Sequence, residues 1–344
     1  MPLISLSLAD RAEIHIRDIL EHAFGHAAES AALLVYDQRC PLARLLAGAY
    51  RNCLKGGRAI DFDASTPEAV REAIGRLDSR ALVVLVQSGS FRLDAFRLRL
   101  ELFRRGLMVI EHPHLGRMEP EELEAYVDSL AYDPLYFRGV GQALKSRIDT
   151  ARSGLVESGG ASLIFDSPFE TAKLNVGDYR EMKNIGGQFP IGEVFTEARE
   201  LEAVHGRIRI FAFGDREYLV NRPDRPITLE IVKGRVAAAH DSTPAFDLVL
   251  ERIRADEDGV VWVRELGFGL NRAFTRERGV KDVGTYERMC GIHLSLGAKH
   301  GYNKPQIDRD RSRHHVDVFA VTESVLLDGQ EVYRDGAWQV NEPK

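Results

Sequence analysis

Residues 260–271 read VVWVRELGFGLN. An apolar, β-branched run of this kind predicts a buried strand, yet Glu265 sits in its middle. Charged groups are rarely buried unless they are paired or bound to a metal. Side chains alternate between the two faces of a strand. Arg264 therefore faces away from Glu265, and a pair within the strand does not account for the carboxylate. Gly267 and Gly269 follow, then Asn271. Glycines so close together in a strand mark a bulge or the close approach of another group.

The stretch belongs to a region of short strands that begins near residue 152: ASLIFDSP, RIRIFAF, EYLVN, ITLEIVKGRVAAAH, IHLSLG, HHVDVFAV and SVLLDGQEVY. Asp328-Gly329 and Asp335-Gly336 are hairpin-turn dipeptides, and Lys233-Gly234 marks another turn. One helix, 247–257, is expected to pack on this sheet. Before residue 135 the pattern differs. Buried parallel strands are expected at 32–37, 81–87 and 106–112, with amphipathic helices at 41–54, 66–77, 90–105 and 119–131 between and after them. A further helix at 136–151 leads onward. The expectation is a doubly wound α/β domain over 1–135 and an α+β, largely antiparallel, metal-binding domain over 136–344.

With 44% hydrophobic and 28% charged residues in 344, the composition is that of a globular protein large enough for two domains. A net charge of −6 gives no reason to expect a nucleic-acid partner. Cys40, Cys53 and Cys290 are odd in number, widely spaced and without a C-x-x-C, which argues against a disulfide framework and for a reducing compartment. No signal peptide and no membrane span is read, so a cytoplasmic location is expected. Ser88-Gly89-Ser90 lacks the spacing that cradles phosphates, and no nucleotide cofactor is expected.

Metal-capable groups recur among apolar neighbours in the β-rich half. Glu193 lies in FPIGEVFTEAREL (189–201), and His293 in GIHLSLGAKHGYNKP (291–305), where His300 and Tyr302 follow a glycine turn. In HHVDVFAV, His315, Asp317 and Phe319 share one strand face. Glu193, Glu265, His293, His315 and Asp317 make two histidines and three carboxylates. Such mixed nitrogen and oxygen donors suit zinc, cobalt or manganese, and a carboxylate can bridge two ions. Paired ions about 3.5–4 Å apart are a usual device for activating water against an amide. His112 and His114, in EHPH, read as a strand-end loop without a role. The mixed-sign stretch IDRDRSRHH (307–315) reads as a solvated loop, from which Arg311 or Arg313 could hold a substrate carboxylate.

The segments GEVFTEA, ELGFGLN, IHLSLG and HVD resemble those of the thermophilic aminopeptidase T family of metallopeptidases. In that family a GE-[VI]-F-T segment, an E-x-G-x-G-x-N segment, an H-I-A-x-G segment and a late H-x-D supply the ligands of a two-metal site. The matching positions, in the same order, are Glu193, Glu265, His293, His315 and Asp317. The resemblance spans about residues 136–340. It implies a two-metal aminopeptidase, in a homodimer, acting on a peptide or small amide, with Glu265 as the bridging ligand. The family's tyrosine, seven residues after the H-I-A-x-G histidine, is replaced by His300, with Tyr302 two residues further on; either is a candidate catalytic group. The chain is also shorter than the family leads one to expect. A related fold, the iron-dependent 2,5-dihydroxypyridine dioxygenase, holds one iron with two histidines and an aspartate. It carries histidine in place of the E-x-G-x-G glutamate and lacks the other two ligands. Glu193, Glu265 and His293 side with the two-metal hydrolase. A non-catalytic relative that kept the ligands is a third reading.

Overall fold

The three apolar runs of the first half form parallel strands, because each is buried on both faces. The helices are α1 (Leu8–Asp18), α2 (Pro41–Cys53), α3 (Pro67–Gly75), α4 (Leu98–Arg104), α5 (Leu123–Ser129), α6 (Pro134–Thr150), α7 (Pro244–Asp256) and α8 (Val283–Tyr286). The strands begin with β1 (Ala32–Tyr36), β2 (Gly57–Asp61), β3 (Leu82–Val86), β4 (Met108–His112), β5 (Gly154–Ser158), β6 (Ala161–Phe165), β7 (Lys173–Asn175), β8 (Gly186–Gln188) and β9 (Glu193–Glu197). They continue with β10 (Val204–Gly214), β11 (Val220–Asn221), β12 (Ile227–Val232), β13 (Arg235–His240), β14 (Val263–Gly269) and β15 (Gly291–Gly297). The last are β16 (His315–Ala320), β17 (Ser324–Leu327), β18 (Gln330–Arg334) and β19 (Ala337–Trp338). This computed structural model describes residues 6–93, 97–179, 182–298 and 315–340. It divides into two units, Met1–Pro134 with Gly177–Ile191, and Leu135–Val176 with Gly192–Lys344.

Among the described residues the first unit holds a five-stranded parallel sheet in the order β2-β1-β3-β4-β8. Leu33, Val35, Val83, Leu85 and Val109 face a core completed by α3 and α4. The alternate residues face the other way, where Tyr50 of α2 and Tyr126 of α5 both reach His112. Helices thus cover both sides of the sheet. The His112 ring is fully buried, and burial pulls its pKa down to about 3. Tyr126 Oη donates to Phe189 O at 3.2 Å, so His112 Nδ1–H donates to Tyr126, and Nε2 accepts from Tyr50 Oη at 2.7 Å. That arrangement makes His112 a core residue.

Several features of this unit differ from the sequence reading, among them helix α1 and strand β8, neither of which was expected. The helix expected over 90–105 spans only Leu98–Arg104. Gln87 Oε1 takes the Phe91 N–H, and Phe91 O takes the Leu98 N–H, so the chain is committed to a turn before the helix starts. β2, which was not expected, is an edge strand with Ile60 as its buried residue, so no apolar run betrays it.

Strand pairing in the second unit is antiparallel throughout its main path, β19-β18-β17-β5-β6-β10-β16-β15-β14-β9-β7, with β11 and the β12–β13 hairpin beside β10. The turns at Lys233-Gly234, Asp328-Gly329 and Asp335-Gly336 have positive φ at both residues, the type I′ geometry that matches strand twist. α7 starts at Pro244, three residues before the expected position. Thr243 caps it by accepting the Phe246 N–H, and proline at the first helical position is preorganised for a helix start.

Candidate metal centre

Glu193, Glu265, His293, His315 and Asp317 come from four neighbouring strands in the order β9, β14, β15, β16. Register brings them together. Gly267 stands opposite His293, and Gly269 opposite Glu193. On the other side of β15, Ser295 stands opposite Asp317, and Gly297 opposite His315. Residues 265, 267 and 269 share one strand face. The two glycines leave that face bare, so the His293 ring leans over β14 at one and the backbone of residues 288–289 packs against it at the other. A Cβ on Gly267 would lie 2.0 Å from His293 Cε1, and one on Gly269 would lie 1.8 Å from Met289 O.

Glu265 sits in the bulge anticipated for this stretch. The β14–β15 register shifts between Val263 and Leu266, and the Glu265 N–H leaves the ladder to donate to Ser295 Oγ at 2.9 Å. Arg264 points away, toward Glu197 Oε1 at 3.3 Å. Glu193 is presented by Gly192, whose φ of +119° only glycine adopts readily.

The five side chains form two overlapping groups. Glu193, Glu265 and His293 offer donor atoms within 4.8 Å of one another, as do Glu265, His315 and Asp317. Glu265 belongs to both. His293 Nε2 lies 3.4 Å from Glu193 Oε1 and 3.5 Å from Glu265 Oε1. It is buried and makes no hydrogen bond among the described residues, and these separations exceed good N–H···O distances. They match what a shared ion requires: donors about 2.1 Å from a tetrahedral centre stand about 3.4 Å apart. His315 Nε2 lies 3.2 Å from Asp317 Oδ1. Its Nδ1 lies 3.3 Å from Ala298 O, the backbone partner that commonly orients a ligating imidazole. The donor set and its spacing fit divalent ions.

Electrostatics point the same way. Burial alone would lower the His293 pKa, but Glu193 and Glu265, with Asp317 behind them, push it up to about 10. His315 is likewise opposed by burial and raised to about 9, chiefly by Asp317 and then Glu265. Burial works against Glu193 as an anion, yet Arg288 and His293 hold its pKa below the ordinary value.

His300, Tyr302, Arg311, Arg313 and His314 lie outside the described residues. The sequence reading missed Arg288, which lies 5% exposed with Nη2 3.6 Å from Glu193 Oε2. A signal existed: an arginine within TYERMCG, directly before an apolar strand. It also missed Ser295, fully buried, which holds the Glu265 backbone.

No family model and no curated protein matches the chain. Among the solved structures that share its fold are two enzymes. One is 2,5-dihydroxypyridine dioxygenase from Pseudomonas putida KT2440, with a TM-score of 0.64 and 15% identity over 97% of this chain and 98% of that one. The other is wild-type AmpT, an aminopeptidase T, from Thermus thermophilus, with a TM-score of 0.58 and 14% identity over 97% of this chain and 100% of that one. The chain therefore has the fold of two enzymes of different chemistry.

Proposed function

We propose that the protein is a metal-dependent hydrolase that cleaves an N-terminal peptide or amide bond, using two divalent ions of zinc, cobalt or manganese. The observation that carries this reading is the membership of Glu265 in both donor groups, the position a bridging carboxylate needs. Divalent ions in such a site lower the pKa of water and polarise a carbonyl. Glu193 and His293 hold one end of the site, and His315 and Asp317 the other. Ser295 and the β14 bulge fix Glu265 between them. His300 or Tyr302 is assigned the steadying of the developing oxyanion, following the family resemblance.

A second reading, a single-iron oxygenase, draws on the dioxygenase of the same fold. The local donor set disfavours it: Glu265, His315 and Asp317 are one histidine and two carboxylates, whereas iron oxygenases commonly use two histidines and one carboxylate. Elemental analysis of protein purified without chelator separates the two. About two zinc, cobalt or manganese ions per chain, with turnover of amino-acid anilides, supports the hydrolase. One iron per chain, without anilide turnover, favours the oxygenase.

A further inference from the structure

Arg288 is buried beside the donor groups, and neither its charge nor its geometry is accounted for by the ligand set. Its Nη1 donates to Gly284 O at 2.9 Å and contacts Glu287 Oε1. Its Nη2 faces Glu193 Oε2 at 3.6 Å, while its Nε is buried without a hydrogen-bond partner among the described residues. The backbone cannot retreat: Arg288 O accepts the Asn271 N–H at 2.9 Å, and the bare Gly269 lets residues 288–289 press against β14. The two oxygens of Glu193 are thereby divided. Oε1 faces His293 and Oε2 faces the guanidinium.

We propose that Arg288 is a positioning residue that restricts Glu193 to a single donor oxygen, Oε1, toward a metal ion. This rests on the two-metal reading above. A buried carboxylate with both oxygens unopposed could chelate through both or swing out of the donor group. A cation on one side removes that freedom, because the outer oxygen is already compensated. A closer approach of Glu193 would let Nε join Nη2 in donating to Oε2 alone, leaving Oε1 to the donor group; lysine does not present two such fixed N–H groups side by side. If Arg288 served only to anchor α8 through Glu287 and Gly284, its removal would lower stability and leave metal binding unchanged.

The test is stepwise titration of full-length, metal-free protein with Zn²⁺ by calorimetry, and with Co²⁺ by visible absorption. Wild type, Arg288→Met and Arg288→Lys are compared. The expected result is two binding steps in wild type. Arg288→Met should weaken one step about 10–100-fold, the usual cost of losing an outer-shell partner. The other step should stay within about twofold, and the cobalt spectrum of the weakened step should change. Arg288→Lys should recover part of the loss. Equal affinities and identical cobalt spectra in Arg288→Met, or tighter binding, would overturn the proposal while leaving the two-metal site intact. Should Arg288→Met fail to fold, Arg288→Lys decides: wild-type affinity and spectrum there overturn it, and a weakened single step supports it. Fewer than two steps in wild type would overturn the two-metal reading and this inference with it.

Discussion

Gly267 and His293 face each other across β14 and β15, and the imidazole occupies the volume where a side chain at position 267 would begin. The glycine spacing in ELGFGLN thus has a steric cause, since Gly267 admits the His293 ring and Gly269 admits the backbone of residues 288–289.

Gly267→Ala should therefore expel the His293 ring from the donor group. Overpacking of this kind costs about 1–3 kcal/mol, so the fold should survive. Metal affinity at the Glu193–Glu265–His293 group should fall at least tenfold. Thermal melts together with metal titration check both halves, and wild-type affinity in a folded variant would contradict the assigned role of His293.

Sharing of Glu265 predicts an asymmetry between ligand deletions. Glu265→Ala should impair both binding events, whereas His315→Ala should impair one and abolish nearly all hydrolysis. Metal content per chain, measured after dialysis against buffered zinc, distinguishes them. Equal loss from the two variants would mean that Glu265 does not span the groups.

Metal binding should also release protons. With the histidines raised to about 10 and about 9 in the ion-free protein, both are protonated at pH 8. Ligation requires neutral imidazole. Calorimetry at pH 8 in two buffers of different ionisation enthalpy should give about two protons released at saturation, with affinity rising as pH rises toward 9. Release close to zero would show that the histidines enter the site already neutral.

The first unit should be acid-sensitive through His112. Its folded pKa, lowered to about 3 by burial, lies below the unfolded value of about 6.5. Below about pH 6.5 the unfolded chain takes up a proton that the folded chain refuses. The contribution is therefore complete above about pH 6.5 and is lost as pH falls toward 3, at up to roughly 1.4 kcal/mol per pH unit. Urea unfolding of wild type and His112→Gln between pH 7.5 and 4.5 checks this. The wild type should lose stability more steeply on acidification, and parallel curves would contradict it.

Period-2 patterning placed His315 and Asp317 on one face, and an ionisable residue in an apolar strand singled out Glu265. Both signals survive in a single sequence because they are local. Arg288 showed only as an arginine ahead of an apolar strand, since its meaning depends on facing Glu193, 95 residues earlier in the chain, which no periodicity encodes. β2 and β8 escaped for a different reason. They join the parallel sheet by backbone pairing, with few buried side chains to write a pattern. The late start of the helix expected over 90–105 depended on one glutamine side chain taking a backbone N–H.

β16 lies between β10 and β15 in the sheet, although both precede it in the chain. Its pairing with β15 joins successive strands, whereas its pairing with β10 joins strands far apart in the chain, and such long-range pairing is intrinsically slow to fold. During synthesis, a chain that has emerged only as far as β15 carries Glu193, Glu265 and His293 but no second donor group. The shared carboxylate gains its second set of neighbours only when β16 enters the sheet. A chain in which β16 has not yet paired therefore lacks the second candidate donor group.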